Sequence, residues 1–186
     1  MNEVHLQFCA SPEWATFVEE ELLPWALADA QFGDDVLEVG AGPGLTTDVL
    51  RRRVANLTAV ELDKELADSL RARLAGTNVA VVQADGTALP FENDRFDTVT
   101  CFTMLHHVPS AELQDRLLAE VCRVLRPGGL LVGTDSSGSD ELAEFHAGDV
   151  YVPISPATMP ARLEAAGFID VAVDEVEGRF RFRGHA

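Results

Sequence analysis

Lysine is almost missing from this chain: of fourteen Lys and Arg only Lys64 is a lysine, against 31 Asp and Glu, and the formal net charge is −17. Affinity for DNA or large RNA comes from cations that neutralise phosphates, so a nucleic-acid partner is not expected. The arginines are scattered apart from Arg51-Arg52-Arg53 and Arg179, Arg181 and Arg183. The first run ends a predicted helix, where cations suit the dipole; the second alternates with apolar residues, as on an exposed strand face. No apolar run is long enough to cross a bilayer. None near the start follows a basic segment, so no secretory leader is expected and a cytoplasmic location is. Cys9, Cys101 and Cys122 are odd in number, far apart and without metal-ligand spacing, which predicts reduced thiols and no metal. Repeats, low-complexity tracts and interdomain linkers are also missing. With 186 residues, 47% of them hydrophobic, the chain reads as one domain over 1–186.

What is present is organised around Val36-Leu37-Glu38-Val39-Gly40-Ala41-Gly42-Pro43-Gly44-Leu45-Thr46-Thr47. An apolar strand runs into three alternate glycines and then into the first turn of a helix. Glycine permits positive φ and removes the Cβ atoms that keep a ligand off the backbone. The helix-opening N–H groups beyond it lack partners in their own helix and can face an electronegative group. Strand, glycine turn and helix in that order present a nucleotide or nucleoside at the carboxyl end of an α/β sheet. A dinucleotide fingerprint would need a small residue three positions after Gly42, where Leu45 stands, so a nicotinamide-dependent oxidoreductase is disfavoured.

Alternation of strands and helices continues along the chain. Residues 1–32 read as an N-terminal helical cap that starts at Ser11-Pro12-Glu13 and is bent or ended by Pro24. The core spans 33–135. Strands are predicted near Asp35 to Val39, Leu57 to Glu61, Val79 to Val82, Phe96 to Phe102 and Leu130 to Thr134. The helices between them run near Leu45 to Arg53, from the Asp63 cap to Gly76, and from the Ser110 cap to Pro127-Gly128-Gly129. A parallel sheet with right-handed crossovers follows. Residues 136–186 form a substrate-side insertion, a helix near Ala161 to Ala166 and an antiparallel hairpin made of Phe168 to Val176 and Arg179 to Arg183.

Several acids and histidines sit at the ends of those strands. Glu61 lies about twenty residues past the glycine loop, where a carboxylate can accept from both ribose hydroxyls; otherwise it is a solvated strand-end charge. Asp85 follows the third strand, where it can accept from an adenine amine or act as a plain turn acid, while Gly86 leaves room for the ring. Leu62 and Ala84 would supply apolar contacts to it. Glu38, inside the first strand, must be satisfied by some partner. His106 and His107 have an unperturbed pKa near neutrality, so they are candidate general bases; alternatively they hold their loop by hydrogen bonds.

In combination the glycine pattern, Ala59-Val60-Glu61-Leu62-Asp63, Ala84 to Phe91, the ending Leu105-His106-His107-Val108 and Leu125-Arg126-Pro127-Gly128-Gly129-Leu130 resemble the class I S-adenosylmethionine-dependent methyltransferases. The resemblance covers Asp35 to Leu131 and, more loosely, the hairpin. It implies a three-layer Rossmann-like fold, a seven-stranded, mostly parallel sheet in order 3-2-1-4-5-7-6 with the last strand antiparallel. It also implies S-adenosyl-L-methionine as cofactor and methyl transfer by in-line displacement. The implied cofactor contacts are Glu38, Gly40, Gly42, Gly44, Glu61, Leu62, Ala84, Asp85, Gly86 and Thr103. In this family Glu38 would order the glycine loop or the methionine end of the cofactor; a backbone-satisfied structural acid is the alternative. No Asn or Asp followed by Pro-Pro-Tyr or Pro-Pro-Phe is present, which argues against methylation of nucleic-acid bases.

The acceptor is expected to be a small organic molecule, with Trp14, His146 and Tyr151 as candidate pocket residues or, failing that, plain packing and surface loop. A non-catalytic protein of the same fold that binds S-adenosylmethionine or S-adenosylhomocysteine as a regulator or scaffold is the alternative reading.

Overall fold

The computed structural model describes residues 2–28 and 30–186, without the side chain of Glu3. Its strands are β1 (Asp35–Val39), β2 (Asn56–Glu61), β3 (Val79–Gln83), β4 (Phe96–Phe102), β5 (Leu125–Ser136), β6 (Ile169–Val176) and β7 (Arg179–His185). Its helices are α1 (Glu3–Cys9), α2 (Pro12–Phe17), α3 (Leu23–Ala26), α4 (Leu45–Leu50), α5 (Lys64–Arg73), α6 (Ala111–Val124), α7 (Asp140–Phe145) and α8 (Met159–Ala166). The sheet order is β3-β2-β1-β4-β5-β7-β6. Every pair is parallel except β5–β7 and β6–β7. This is the topology that the resemblance implies.

Side chains alternate between the two faces of each strand, and both faces are covered, as parallel strands require. Leu37, Val39, Val99, Cys101 and Leu131 share a core with Leu117, Leu118 and Val121 of α6 and with Met159 and Leu163 of α8. Val36, Leu57, Phe102 and Val132 pack on the opposite face against Leu22, Leu23 and Ala26 from the N-terminal segment and Val49 and Leu50 of α4. Asp97 joins the entry ends of three strands: its carboxylate accepts the Asp35 N–H at 3.0 Å and bonds Arg126 of β5. Its pKa is held below the usual carboxylate range, first by that N–H and then by the guanidinium.

Four local expectations need correction. Pro24 does not end the N-terminal segment, which runs on through α3, because the helix widens just before it into a π-helical turn, Val18–Leu22, with the Leu23 N–H reaching the Val18 carbonyl. The wider turn absorbs the i−4 hydrogen bond that proline cannot make. An additional helix, α1, precedes the predicted start. Pro127-Gly128-Gly129 lies inside β5 instead of closing α6, since Leu125 already pairs with Phe96 and the Gly128 N–H donates to the Ala186 carbonyl at 2.7 Å. The arginine face of β7 is not left open. Arg179 lies 5.0 Å over the Phe17 ring and 5.5 Å over Trp25, and Arg181 donates to the Trp25 carbonyl at 2.6 Å.

Glu38 is 1% exposed inside β1, and its carboxylate accepts from the hydroxyls of Thr46 and, at 2.6 Å, Thr47. Two neutral donors do not replace water around a full charge. Burial therefore pushes its pKa from 4.5 up to about 7 despite them. Between those values the folded chain keeps a proton that the unfolded chain has released, so stability falls as pH rises through that window. Glu38→Gln, neutral at every pH, should flatten the fall, which is worth about 3 kcal/mol. Urea midpoints at pH 5 and pH 8 that shift equally in the two proteins would refute this.

Gly133 of β5 sits directly under the core: a Cβ there would lie 2.1 Å from Phe182 Cζ and 2.7 Å from the Cys101 carbonyl oxygen. The ring can turn, but the backbone oxygen of the neighbouring strand cannot. Gly133→Ala should cost roughly 1–3 kcal/mol by overpacking, read as a lowered melting temperature; an unchanged one would show that the sheet has slack at this point.

Candidate functional site at the carboxyl ends of the strands

Parallel pairing of Val39 with Val60 brings the glycine turn alongside Glu61. Gly40, Gly42 and Gly44 all have positive φ, at 80°, 54° and 91°. The reasons for glycine differ in space. A Cβ on Gly40 would strike Met104 and one on Gly44 would strike Leu70 of α5, whereas at Gly42 it would meet nothing within 4 Å. The turn is held from below, since the Gly40 and Ala41 N–H groups share the Val60 carbonyl at 2.9 and 3.1 Å. It is held from the side as well. Glu61 Oε2 accepts the Gly42 N–H at 2.7 Å, and Oε1 accepts the Asp63 N–H at 2.9 Å. The Glu61 carboxylate is therefore immobile, and each oxygen retains a second lone pair.

The remaining expected contacts lie on β1 and at the exits of β2, β3 and β4. Leu62 is 63% exposed beside Glu61, an unusual position for a leucine next to a conformationally fixed turn. Ala84 is half-buried and donates its N–H to the Glu61 carbonyl at 3.1 Å. Asp85 is exposed at the end of β3, where Oδ1 accepts the N–H and hydroxyl of Thr87, each at 2.8 Å. At Gly86 a Cβ would press on the side chains of Leu117 at 2.9 Å and Val39 at 3.0 Å. Glu38 faces the first turn of α4 with both oxygens engaged by threonines. An adenosyl group fits these residues: the open face of Gly42 admits it, the fixed carboxylate offers acceptors, and Leu62 offers apolar surface.

At the end of β4 the chain turns through Thr103, a β-branched residue at φ 49°, with its N–H on the Thr134 carbonyl at 2.8 Å. Such a backbone is strained, and neighbouring contacts must impose it. Asp135 imposes the next step. It is 1% exposed; Oδ2 accepts the Leu105 N–H at 3.0 Å, and Oδ1 lies 2.6 Å from His106 Nδ1. The carboxylate holds the His106 proton on Nδ1 and leaves Nε2 with its lone pair. His107 instead points Nδ1 at the Val150 carbonyl, 3.1 Å away. Burial, followed by the nearby His106 and His5, depresses its pKa to about 3.

His146 and Tyr151 stack on each other, 4.4 Å apart, and meet the His106 ring at 5.1 and 5.7 Å. Trp14 stands outside this group: it stacks on Phe17, meets the Phe8 ring at a tilt 5.1 Å away, and packs with the core under α2 and α3. The N-terminal element that meets these rings is α1, through His5. Asn2 caps α1 through the His5 N–H at 2.8 Å and clasps the α7 segment through the Phe145 carbonyl at 3.0 Å.

Two residues here escaped the sequence reading. Asp135 was legible in principle, since a strand beside β4 must end beside His106. His5 carried no local signal.

A family model described as "Methyltransferase domain" matches residues 37–133. A phthiotriol/phenolphthiotriol dimycocerosates methyltransferase of Mycobacterium ulcerans is 38% identical over 117 residues, 62% of this chain and 42% of the relative. A demethylmenaquinone methyltransferase of Clavibacter sepedonicus is 37% identical over 101 residues, 54% of this chain and 40% of the relative. The chain thus spans about two fifths of the length of these curated relatives. A solved S-adenosylmethionine-dependent methyltransferase of Aquifex aeolicus superposes with TM-score 0.76 at 20% identity, covering 100% of this chain and 98% of that one, a likeness of fold. With the matched segment running from β1 through β5 across the glycine turn, Glu61 and the His106 turn, this chain belongs to the class I S-adenosylmethionine-dependent methyltransferases.

Proposed function

We propose that this chain transfers a methyl group from S-adenosylmethionine to a nucleophilic oxygen, sulfur, nitrogen or carbon of a small organic acceptor. The observation that carries the reading is the glycine turn fixed to Glu61 with its Gly42 face open. Glu61 would hold the ribose, Asp85 through Oδ2 the adenine amine, and Leu62 and Ala84 the ring faces. The bound cofactor supplies an activated methyl on a good leaving group. The protein's task is to align the acceptor, keep water out and remove a proton where the nucleophile carries one.

His106 suits that last role better than His107. Its imidazole is held in one tautomer by Asp135, with Nε2 as the proton acceptor, the arrangement by which a carboxylate orients a histidine base. A small acceptor is supported by the charge of −17, which disfavours phosphate polymers. Relatives in sequence support it as well: they include demethylmenaquinone, fatty-acid and ubiquinone-biosynthesis methyltransferases. A single domain over 1–186 in the cytoplasm completes the reading; among the described residues no helix is long and apolar enough to cross a membrane.

Glu61→Ala should weaken S-adenosylmethionine binding by on the order of 1.5–3 kcal/mol, through loss of both the acceptor and the loop clamp. Calorimetry that gave an unchanged affinity would remove Glu61 from the site. Acceptors can be found by incubating extracts of small metabolites with methyl-labelled cofactor. With one in hand, His106→Ala and Asp135→Asn should lower turnover at saturating cofactor more than they alter cofactor affinity. Full turnover in His106→Ala would leave alignment alone as the source of catalysis.

A further inference from the structure

Four of the five histidines in the chain, His5, His106, His107 and His146, converge from three separate segments. Three of them form a tight set: His5, His107 and His146 have ring centroids 4.4–5.2 Å apart, and one nitrogen from each lies within 4.8 Å of the others. We propose that these three imidazoles form a binding site for a divalent transition-metal ion of the zinc type, with a fourth coordination position left for a ligand from solution.

The hydrogen bonds around the rings favour coordination. A carbonyl oxygen can only accept, so the contacts of His146 Nδ1 to the Leu142 carbonyl at 2.6 Å and of His107 Nδ1 to the Val150 carbonyl at 3.1 Å put the proton on Nδ1 in both. Nε2 of each then carries a lone pair. This is the outer-sphere pattern that orients metal-binding histidines. At His146 the result is directly visible: Nε2 is buried without a hydrogen-bond partner. His5 Nδ1 is likewise buried without a hydrogen bond, 3.4 Å from Asp149 Oδ2.

The donor set selects the ion. Three neutral imidazoles suit Zn²⁺, Ni²⁺, Cu²⁺ or Co²⁺, whereas Mg²⁺ and Ca²⁺ prefer oxygen ligands. Nitrogens sharing one tetrahedral zinc lie about 3.4 Å apart, given bonds of about 2.1 Å, so binding would draw the rings together by an ångström or so. Phe145 packs on His5 at 4.9 Å and on His146 at 5.4 Å, giving the site an apolar wall. The expectation of no metal rested on cysteine spacing and did not count histidines that meet only in the fold.

The test is a Zn²⁺ titration of the chelator-treated full chain against a chromophoric competitor. One equivalent should bind, with affinity at least about tenfold weaker in His146→Ala and His5→Ala. His185→Ala, which changes the one histidine outside the cluster, should bind as the parent does. No saturable binding, or equal binding by His146→Ala, would overturn the site. Should the alanine variants fail to fold, Co²⁺ added to the unaltered protein decides: intense visible bands of a tetrahedral nitrogen-ligated ion support it, and their absence overturns it. Cofactor affinity measured in excess chelator is a separate readout, so failure of the metal site and failure of the methyltransferase reading are distinguishable.

Discussion

The Gly42 N–H to Glu61 bond is the constraint on which the arrangement of this site depends. A glycine turn by itself is the least ordered segment a chain can have, because glycine loses most backbone freedom on folding. The ends of two adjacent parallel strands remove that freedom here. Val60 takes two N–H groups from the turn, and Glu61 takes a third while its other oxygen starts the connection to α5. One carboxylate thus sets both the glycine turn and the strand exit beside it.

A similar logic operates one strand over. Thr103 is held at a positive φ that a threonine resists, and the turn beyond it is fixed by Asp135, which gathers backbone N–H groups and an imidazole around a fully buried carboxylate. Both acids sit where parallel strands end and backbone groups lose their ladder partners. Buried polar groups must be satisfied, and in this chain the groups that satisfy them are also the ones with chemistry to offer.

The parts of this fold that were legible in the sequence are those fixed by local chemistry. The alternation of strands and helices, Asp63 and Ser110 as caps, and the end of α8 at Ala166 all stand at their predicted places. Proline is a weaker stop here than local chemistry suggests: a π-helical turn lets helix run on past Pro24, and Pro127 falls where the register between β4 and β5 shifts, so no pairing donor is asked of it. Of the candidate site, the residues on the glycine turn and at the ends of β2 and β4 could be read from spacing along the chain. Asp135 required knowledge of which strand neighbours β4. His5 required knowledge that α1 folds back onto α7, a long-range contact made by the Asn2 side chain and invisible to any periodicity.

That long-range contact bears on what the histidines are for. If α1 served only to cover the end of the sheet, apolar side chains would attach it at lower cost, as Phe8 and Phe145 do at 5.6 Å within the same patch. An imidazole nitrogen buried without a partner costs about 1–3 kcal/mol, and this patch contains one, Nε2 of His146. A marginally stable domain does not gain by carrying that penalty in a contact whose alternative is another phenylalanine. Binding an ion at that lone pair would turn the cost into a stabilising interaction.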